Sequence, residues 1–108
     1  MQAGKNCGEN LSAIWYQYEV CPGAESLEAQ RWKAGLVNMI VFAASDEEGR
    51  VLCGRYAARH DWQIIVLKRA GIISTEHLAR MEGVFQALYR QAELSGIAAR
   101  FDGWQLSS

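Results

Sequence analysis

The chain has 108 residues, of which 50% are hydrophobic and 21% are charged, and its formal net charge is -1. This length allows one compact domain, and the composition is typical of a soluble globular protein, which excludes wholesale disorder and collagen-like repeats. The near-neutral charge gives no overall attraction to phosphates or anionic lipid. Four Trp, four Tyr and three Phe side chains are the most distinctive feature of so short a chain.

The cysteines and histidines form no recognisable metal or redox motif. Cys7, Cys21 and Cys53 are widely spaced without a CxxC pair, and His60 and His77 are the only histidines. The N-terminus has no apolar signal core, and no apolar run approaches the length of a membrane span. We therefore expect reduced thiols, no metal, no cofactor and a cytoplasmic location without membrane contact.

The N-terminal part predicts a leader and two strands. Residues 1–11 are polar and aperiodic, which predicts a disordered leader before a single domain over residues 12–108. From Ile14, aromatic and β-branched residues alternate with polar ones, as in a strand with one buried face that ends at Pro22 and Gly23. Residues 24–35 fit either a loop with a turn or two of helix, which we favour, or a long hairpin arm. The apolar run at 36–44 predicts a central strand.

The middle of the chain predicts a capped helix and another strand. Ser45 and Glu48 have the spacing of a capping box, which predicts a helix from there to about His60. The residues expected to face inward are Val51, Leu52, Tyr56 and Ala57. The segment WQIIVL at 62–67 has the apolar character of a central strand, and residues 68–73 extend it toward an edge with a bulge or bend at Gly71.

The C-terminal part predicts one long helix and a final strand. Ser74 or Thr75 caps the helix, and Gly96 stops it. Its inward residues recur at helical spacing: Leu78, Met81, Phe85, Leu88 and Ala92. The last strand covers 97–106 and is irregular at Gly103. The order β-β-α-β-α-β predicts an α+β domain, ferredoxin-like or related, with a mainly antiparallel four-stranded sheet and two main helices on one face.

The segment LSGIAARFDGW carries Gly96 and the run Phe101, Asp102, Gly103 and Trp104. It resembles the C-terminal end of the regulator of ribonuclease E activity B family, in which a helix leads through a Gly into a strand with an acidic-Gly-Trp triplet. The resemblance covers roughly the last 35 residues and implies an α+β fold and an inhibitor that binds a larger enzyme. The segments NMIVFAASDEEG and ARHDWQIIVL also look like parts of small bacterial α+β proteins of uncharacterised function.

The residues give no catalytic constellation. Cys53 and His60 share a helix face, but two turns separate them by about 10 Å along the axis, too far for a thiolate–imidazole pair. The acids that begin the first helix are explained by capping. Because the sequence contains no GxGxxG, Walker, GxSxG or HExxH motif, we predict no catalytic residue and a protein that is not an enzyme.

Four residues are the predicted partner-binding set: Trp32, Trp104, Arg100 and Trp15. Trp and Arg are the residue types most enriched at binding hot spots, and Trp32 lies between two cations in a polar stretch. The structural alternatives place Trp32 against a sheet edge and let Trp15 and Trp104 close the rim of the core. The sequence thus favours a protein-binding regulator, inhibitor or immunity-type module. The alternatives are a single-stranded RNA binder that uses the sheet face and a small enzyme, and an open sheet edge also predicts self-association.

Overall fold

The computed structural model describes residues 11–23 and 32–106; at 32–33 and 102–106 it describes the strands but not the side chains. The described elements are β1 (Ser12–Pro22), β2 (Trp32–Ala43), α1 (Asp46–Arg59), β3 (Trp62–Ile72), α2 (Thr75–Arg80), α3 (Gly83–Ser95) and β4 (Ile97–Leu106). The strands form one antiparallel sheet in the order β3-β1-β2-β4. This confirms an α+β domain with a four-stranded antiparallel sheet and the β-β-α-β-α-β order.

The first face of the sheet packs against α1. The alternation in β1 buries Tyr16 and Val20 on this face, and β2 adds Val37, Met39 and Val41, all five of which are fully buried. Cys53 and Ala57 of α1 complete the cluster. A period of two in the strands and of about four in the helix thus produces a continuous apolar layer.

The second face packs against α2 and α3, so the expectation of two helices on one face is wrong. Ala13, Ile40 and Ala98 lie on this face and are buried with Leu88 and Ala92 of α3. The central strands are apolar on both parities at this end of the sheet, so both faces need cover there. A ferredoxin-like arrangement is therefore not confirmed.

The start of α1 confirms Ser45 as the N-cap, and Glu48 reaches back as predicted but bonds to the residue before Ser45. The backbone N–H of Glu48 donates to Ser45 Oγ at 3.1 Å, and Glu48 Oε1 accepts from the backbone N–H of Ala44 at 2.7 Å. The helix is buried through Gly49, Cys53 and Ala57. Val51, by contrast, is 48% exposed, so the expectation that it faces inward is wrong. It lies about 200° around the helix from Gly49, on the opposite side from the small residues that contact the sheet.

The last helical region is interrupted at Met81 and Glu82, which both have extended backbone. The apolar residues predicted at helical spacing still pack on the second face on either side of the break. Gln86 Nε2 donates to the carbonyl oxygens of Leu78 and Met81 at 3.2 and 3.3 Å. The Gln86 side chain thus donates to carbonyl oxygens that would accept backbone N–H groups in a continuous helix.

The start of β2 differs from the prediction, whereas the end of α3 and the extent of β4 agree with it. β2 begins at Trp32, four residues before the predicted start, so its first residues belong to a strand rather than to the favoured loop; residues 24–31 and the leader before Leu11 lie outside the described residues. Gly96 ends α3 with a φ of 89°, a left-handed conformation that favours glycine. β4 covers Ile97–Leu106 as predicted, with a register shift between Phe101 and Trp104 that includes Gly103.

Candidate functional site

Trp15 and Arg100, two of the predicted partner residues, lie on the second face on either side of Asn38. Asn38 pairs with Gln17 in β1 and with Arg100 in β4. Trp15 Nε1 donates to Asn38 Oδ1 at 2.9 Å, and Gln17 Nε2 donates to the same oxygen at 3.3 Å. Trp15 is half-buried against the second-face core, whereas Arg100 is exposed. The structure therefore brings these two together, with Trp15 closing the rim of the core.

Trp32 and Trp104 lie in neighbouring strands at the other end of the sheet. Trp104 pairs with Gly35, and Trp32 pairs with Leu106. Both side chains are outside the part of the chain whose side chains are described. Their role as partner residues stays a prediction, and their backbone positions set them apart from Trp15, Asn38 and Arg100.

A polar network joins the buried Tyr16 to Asp46 and Arg50 at the exposed start of α1 and holds this helix on the first face. Tyr16 Oη donates to Asp46 Oδ1 at 2.8 Å and to the Asp46 carbonyl oxygen at 3.1 Å, and Arg50 Nε lies 2.9 Å from Asp46 Oδ2. Burial, reinforced by the bond to Asp46, raises the pKa of Tyr16 above its ordinary value of 10.0. The hydroxyl therefore stays protonated and acts as a structural donor.

Cys53 and His60 do not meet. The thiol of Cys53 is fully buried beside Tyr18, and burial raises its pKa from 9.0 to about 12, so it stays a neutral thiol of low reactivity. Burial likewise raises the pKa of Tyr18. His60 is exposed at the end of α1, where its ring stacks between other aromatic rings. The prediction that these two residues form no catalytic pair agrees with these positions.

A row of aromatic rings that the sequence did not single out crosses the first face beyond α1. The ring centroids of Tyr56 and His60 are 4.3 Å apart, those of His60 and Trp62 are 5.0 Å apart, and those of Trp62 and Phe101 are 5.3 Å apart. Trp62 and Phe101 come from the two outer strands. No short-range pattern predicts their contact, because it depends on how the sheet curves over the end of α1.

β3 is an edge strand, although WQIIVL has the composition of a central one. Among the described strands it pairs with β1 alone. Ile65 is 52% exposed, Val66 is 43% exposed and Ile72 is 69% exposed. The predicted central position of this segment is wrong, because the β1–β2 pair occupies the centre of the sheet. Trp62, Ile64 and Leu67 pack against the first-face core beside α1, whereas Ile65, Val66 and Ile72 are left exposed at this edge.

The pairing of β3 with β1 is regular at its two ends and irregular between them. Ile65 and Lys68 have no partner in β1, since Val20 pairs with Ile64 and Glu19 with Val66, and the register skips again after Leu67. Gly71, the predicted bulge, pairs regularly with Trp15, so that expectation is wrong. Bulges and lysines are common devices that discourage edge pairing, and here they occupy only the middle of the strand.

Two shallow clefts flank these features. One has a volume of about 360 Å³ between Trp15 and the α2–α3 pair, where Met81 and Phe85 line it. Another of about 320 Å³ lies beside the end of β3, where Ile14 and Ile72 line it. Among the described residues no group of three His, Cys, Asp or Glu side chains could hold a metal ion.

Comparisons with protein-family models, with curated proteins and with solved structures gave no match. The resemblance of the C-terminal segment to the ribonuclease E regulators therefore stays a prediction. No helix in residues 11–23 and 32–106 is long and apolar enough to cross a membrane.

Proposed function

We propose that the protein is a non-enzymatic protein-binding module of the regulator, inhibitor or immunity type, and that β3 is its main contact surface. The observation that carries the proposal is the strand of central composition at an open edge. Ile65 and Val66 are about half-exposed, whereas apolar strands of this kind are normally covered on both faces. Exposed apolar side chains on an open edge strand are typical of a strand that pairs with another chain.

The chemistry of the described side chains supports binding rather than catalysis. Within the described part of the chain, the groups with raised pKa values are Tyr16, Tyr18 and Cys53, and all three are buried and held in their neutral forms. A catalytic acid, base or nucleophile needs access to substrate and a pKa near the working pH. These three groups instead fix α1 on the sheet.

Single-stranded RNA binding on the sheet face has weaker support. Such binding uses exposed rings on which bases stack. The rings described on the second face are Trp15 and Phe42, and both pack against the core beneath α2 and α3. Steep, salt-dependent binding of mixed RNA oligonucleotides would favour this function and contradict the proposal.

The proposal is tested by capture from native extract with the full chain as bait. The double variant Ile65→Asn/Val66→Asn removes apolar surface without changing charge. We expect the proteins that the unmodified bait retains to fall at least about tenfold with this variant, because truncating a central apolar anchor costs 1–2 kcal/mol or more.

The matched control is Leu94→Asn. Leu94 is 89% exposed on α3, away from β3, so its substitution removes a similar apolar side chain from another surface. Circular dichroism establishes that each bait is folded. Equal retention by both variants and the unmodified chain contradicts β3 as the surface, and loss with Leu94→Asn alone moves the surface to α3.

A further inference from the structure

Residues 69–72 form a regular open edge beyond the second bulge of β3, and we name them the edge segment. Its members are Arg69, Ala70, Gly71 and Ile72, which pair one to one with Gln17, Tyr16, Trp15 and Ile14 of β1. All four are exposed, and Ile72 is the most exposed large apolar residue of the strand. Apart from the charge of Arg69, this end therefore has no bulge or lysine to discourage the addition of a strand.

The edge segment has backbone groups directed away from the sheet. The backbone N–H of Ile73 donates to the carbonyl oxygen of Ala13 at 2.9 Å, so it points toward β1. Successive peptide groups of an antiparallel strand point to alternate sides. The N–H groups of Ile72 and Ala70 consequently point outward, where an added strand would meet them.

The charge at this edge is positive. β3 contains Lys68 and Arg69 and no acidic residue. Neither cation forms an ion pair with a residue that the structure describes, since Glu19 only shares a cleft with Lys68 and Asp46 is paired with Arg50. The nearby cleft of about 320 Å³ is lined mainly by apolar groups, among them Ile14 and Ile72, and the paired Asp46 and Arg50 also line it.

We propose that the edge segment binds an extended, acidic segment of another protein as a fifth strand. Backbone groups of the added strand bond to the outward N–H and C=O groups, one apolar side chain enters the cleft beside Ile72, and carboxylates face Lys68 and Arg69. A second copy of this chain is the poorer occupant, because pairing the two edges would bring four cations together. This inference rests on the proposed function and specifies its partner.

The test uses the full chain, labelled with ¹⁵N, and two capped peptides, VEVDVE and the charge-reversed VKVRVK. We expect VEVDVE to shift the amide signals of residues 69–72 and to bind at least about tenfold more tightly than VKVRVK, with affinity falling as salt is raised. Lys68→Glu/Arg69→Glu should reverse this preference. Arg90→Glu, which changes an exposed cation on α3, should leave it unchanged.

A backbone variant separates strand addition from simple charge attraction. Ala70→Pro removes an outward N–H and leaves the bonds to β1 in place, so it should abolish VEVDVE binding in a chain that remains folded by its ¹⁵N spectrum. Unchanged binding by Ala70→Pro, or equal binding of both peptides, overturns strand addition. Concentration-dependent shifts of the same amides without peptide would assign the edge to a second copy and also overturn the inference. If the capture test still depends on Ile65 and Val66, the proposed function stands without it.

Discussion

Gly49 and Gly54 lie on one helix but have opposite surroundings. A Cβ at position 49 would overlap the Tyr16 hydroxyl, whereas a Cβ at position 54 would meet nothing within 4 Å. We expect Gly49→Ala to lower the free energy of unfolding by about 1–3 kcal/mol, because α1 must shift off the sheet. Gly54→Ala should raise it by about 0.5–1 kcal/mol through helix propensity. Urea denaturation measures both, and a loss of stability in both variants would contradict the packing of α1.

The buried thiol gives the protein a defined response to alkaline pH. Burial raises the pKa of Cys53 from 9.0 to about 12, so the folded chain keeps a proton that the unfolded chain releases. The contribution to stability is therefore complete below about pH 9 and is lost as pH rises from there toward about 12. The pKa values of Tyr16 and Tyr18 are raised by burial too, and they act in the same direction.

Cys53→Ala isolates this effect. Between about pH 7 and about pH 10.5, the free energy of unfolding should fall in both chains. The fall should be about 2 kcal/mol larger in the unmodified chain than in the Cys53→Ala variant. Urea denaturation under reducing conditions at the two pH values measures the difference, and comparing each chain with itself removes the cost of the cavity. Identical falls in the two chains would show that the thiol titrates normally.

At the residue scale, local signals were predictable and long-range ones were not. Ser45 and Gly96 cap their helices as expected, since each function depends on a few neighbouring residues. The stacking of Trp62 on Phe101 joins two outer strands 39 residues apart in sequence, and no local pattern encodes it. The same holds for the bond from Trp15 to Asn38.

At the scale of elements, the break between α2 and α3 depends on one side chain. Gln86 Nε2 donates to two carbonyl oxygens of the turn at the end of α2, which has only six residues. Gln86→Leu should lower the free energy of unfolding by about 1–2 kcal/mol and speed hydrogen exchange in α2. Gln91→Leu, at an exposed position of α3, is the control. Exchange that is equally slow in both variants would show that α2 does not need this side chain.

The arrangement of the strands also explains why the edge position of β3 was not predictable from the sequence. The composition of β3 predicts cover on both sides, but strand order is set by which strands pair across the chain. β2 and β3 are parallel with β1 between them, and this crossover sends β3 to the edge. A composition that does not match its position is the reason for proposing a partner there.

At the scale of the whole molecule, the sheet is covered unequally. α1 covers the first face, and α2 and α3 cover one end of the second face. Composition and periodicity predicted the α+β class and the element order, because each apolar stripe needs a surface to pack on. They did not predict which helix lies on which face, since the central strands are apolar on both parities.

The central claim, that β3 is the partner surface, is tested most directly by hydrogen–deuterium exchange on the full chain, alone and bound to the protein it retains from extract. We predict that binding slows exchange over Trp62–Ile72, most strongly in residues 69–72, and leaves exchange in β4, Trp15 and Asn38 unchanged. Slowing confined to β4, Trp15 and Arg100, with β3 unchanged, would contradict the claim.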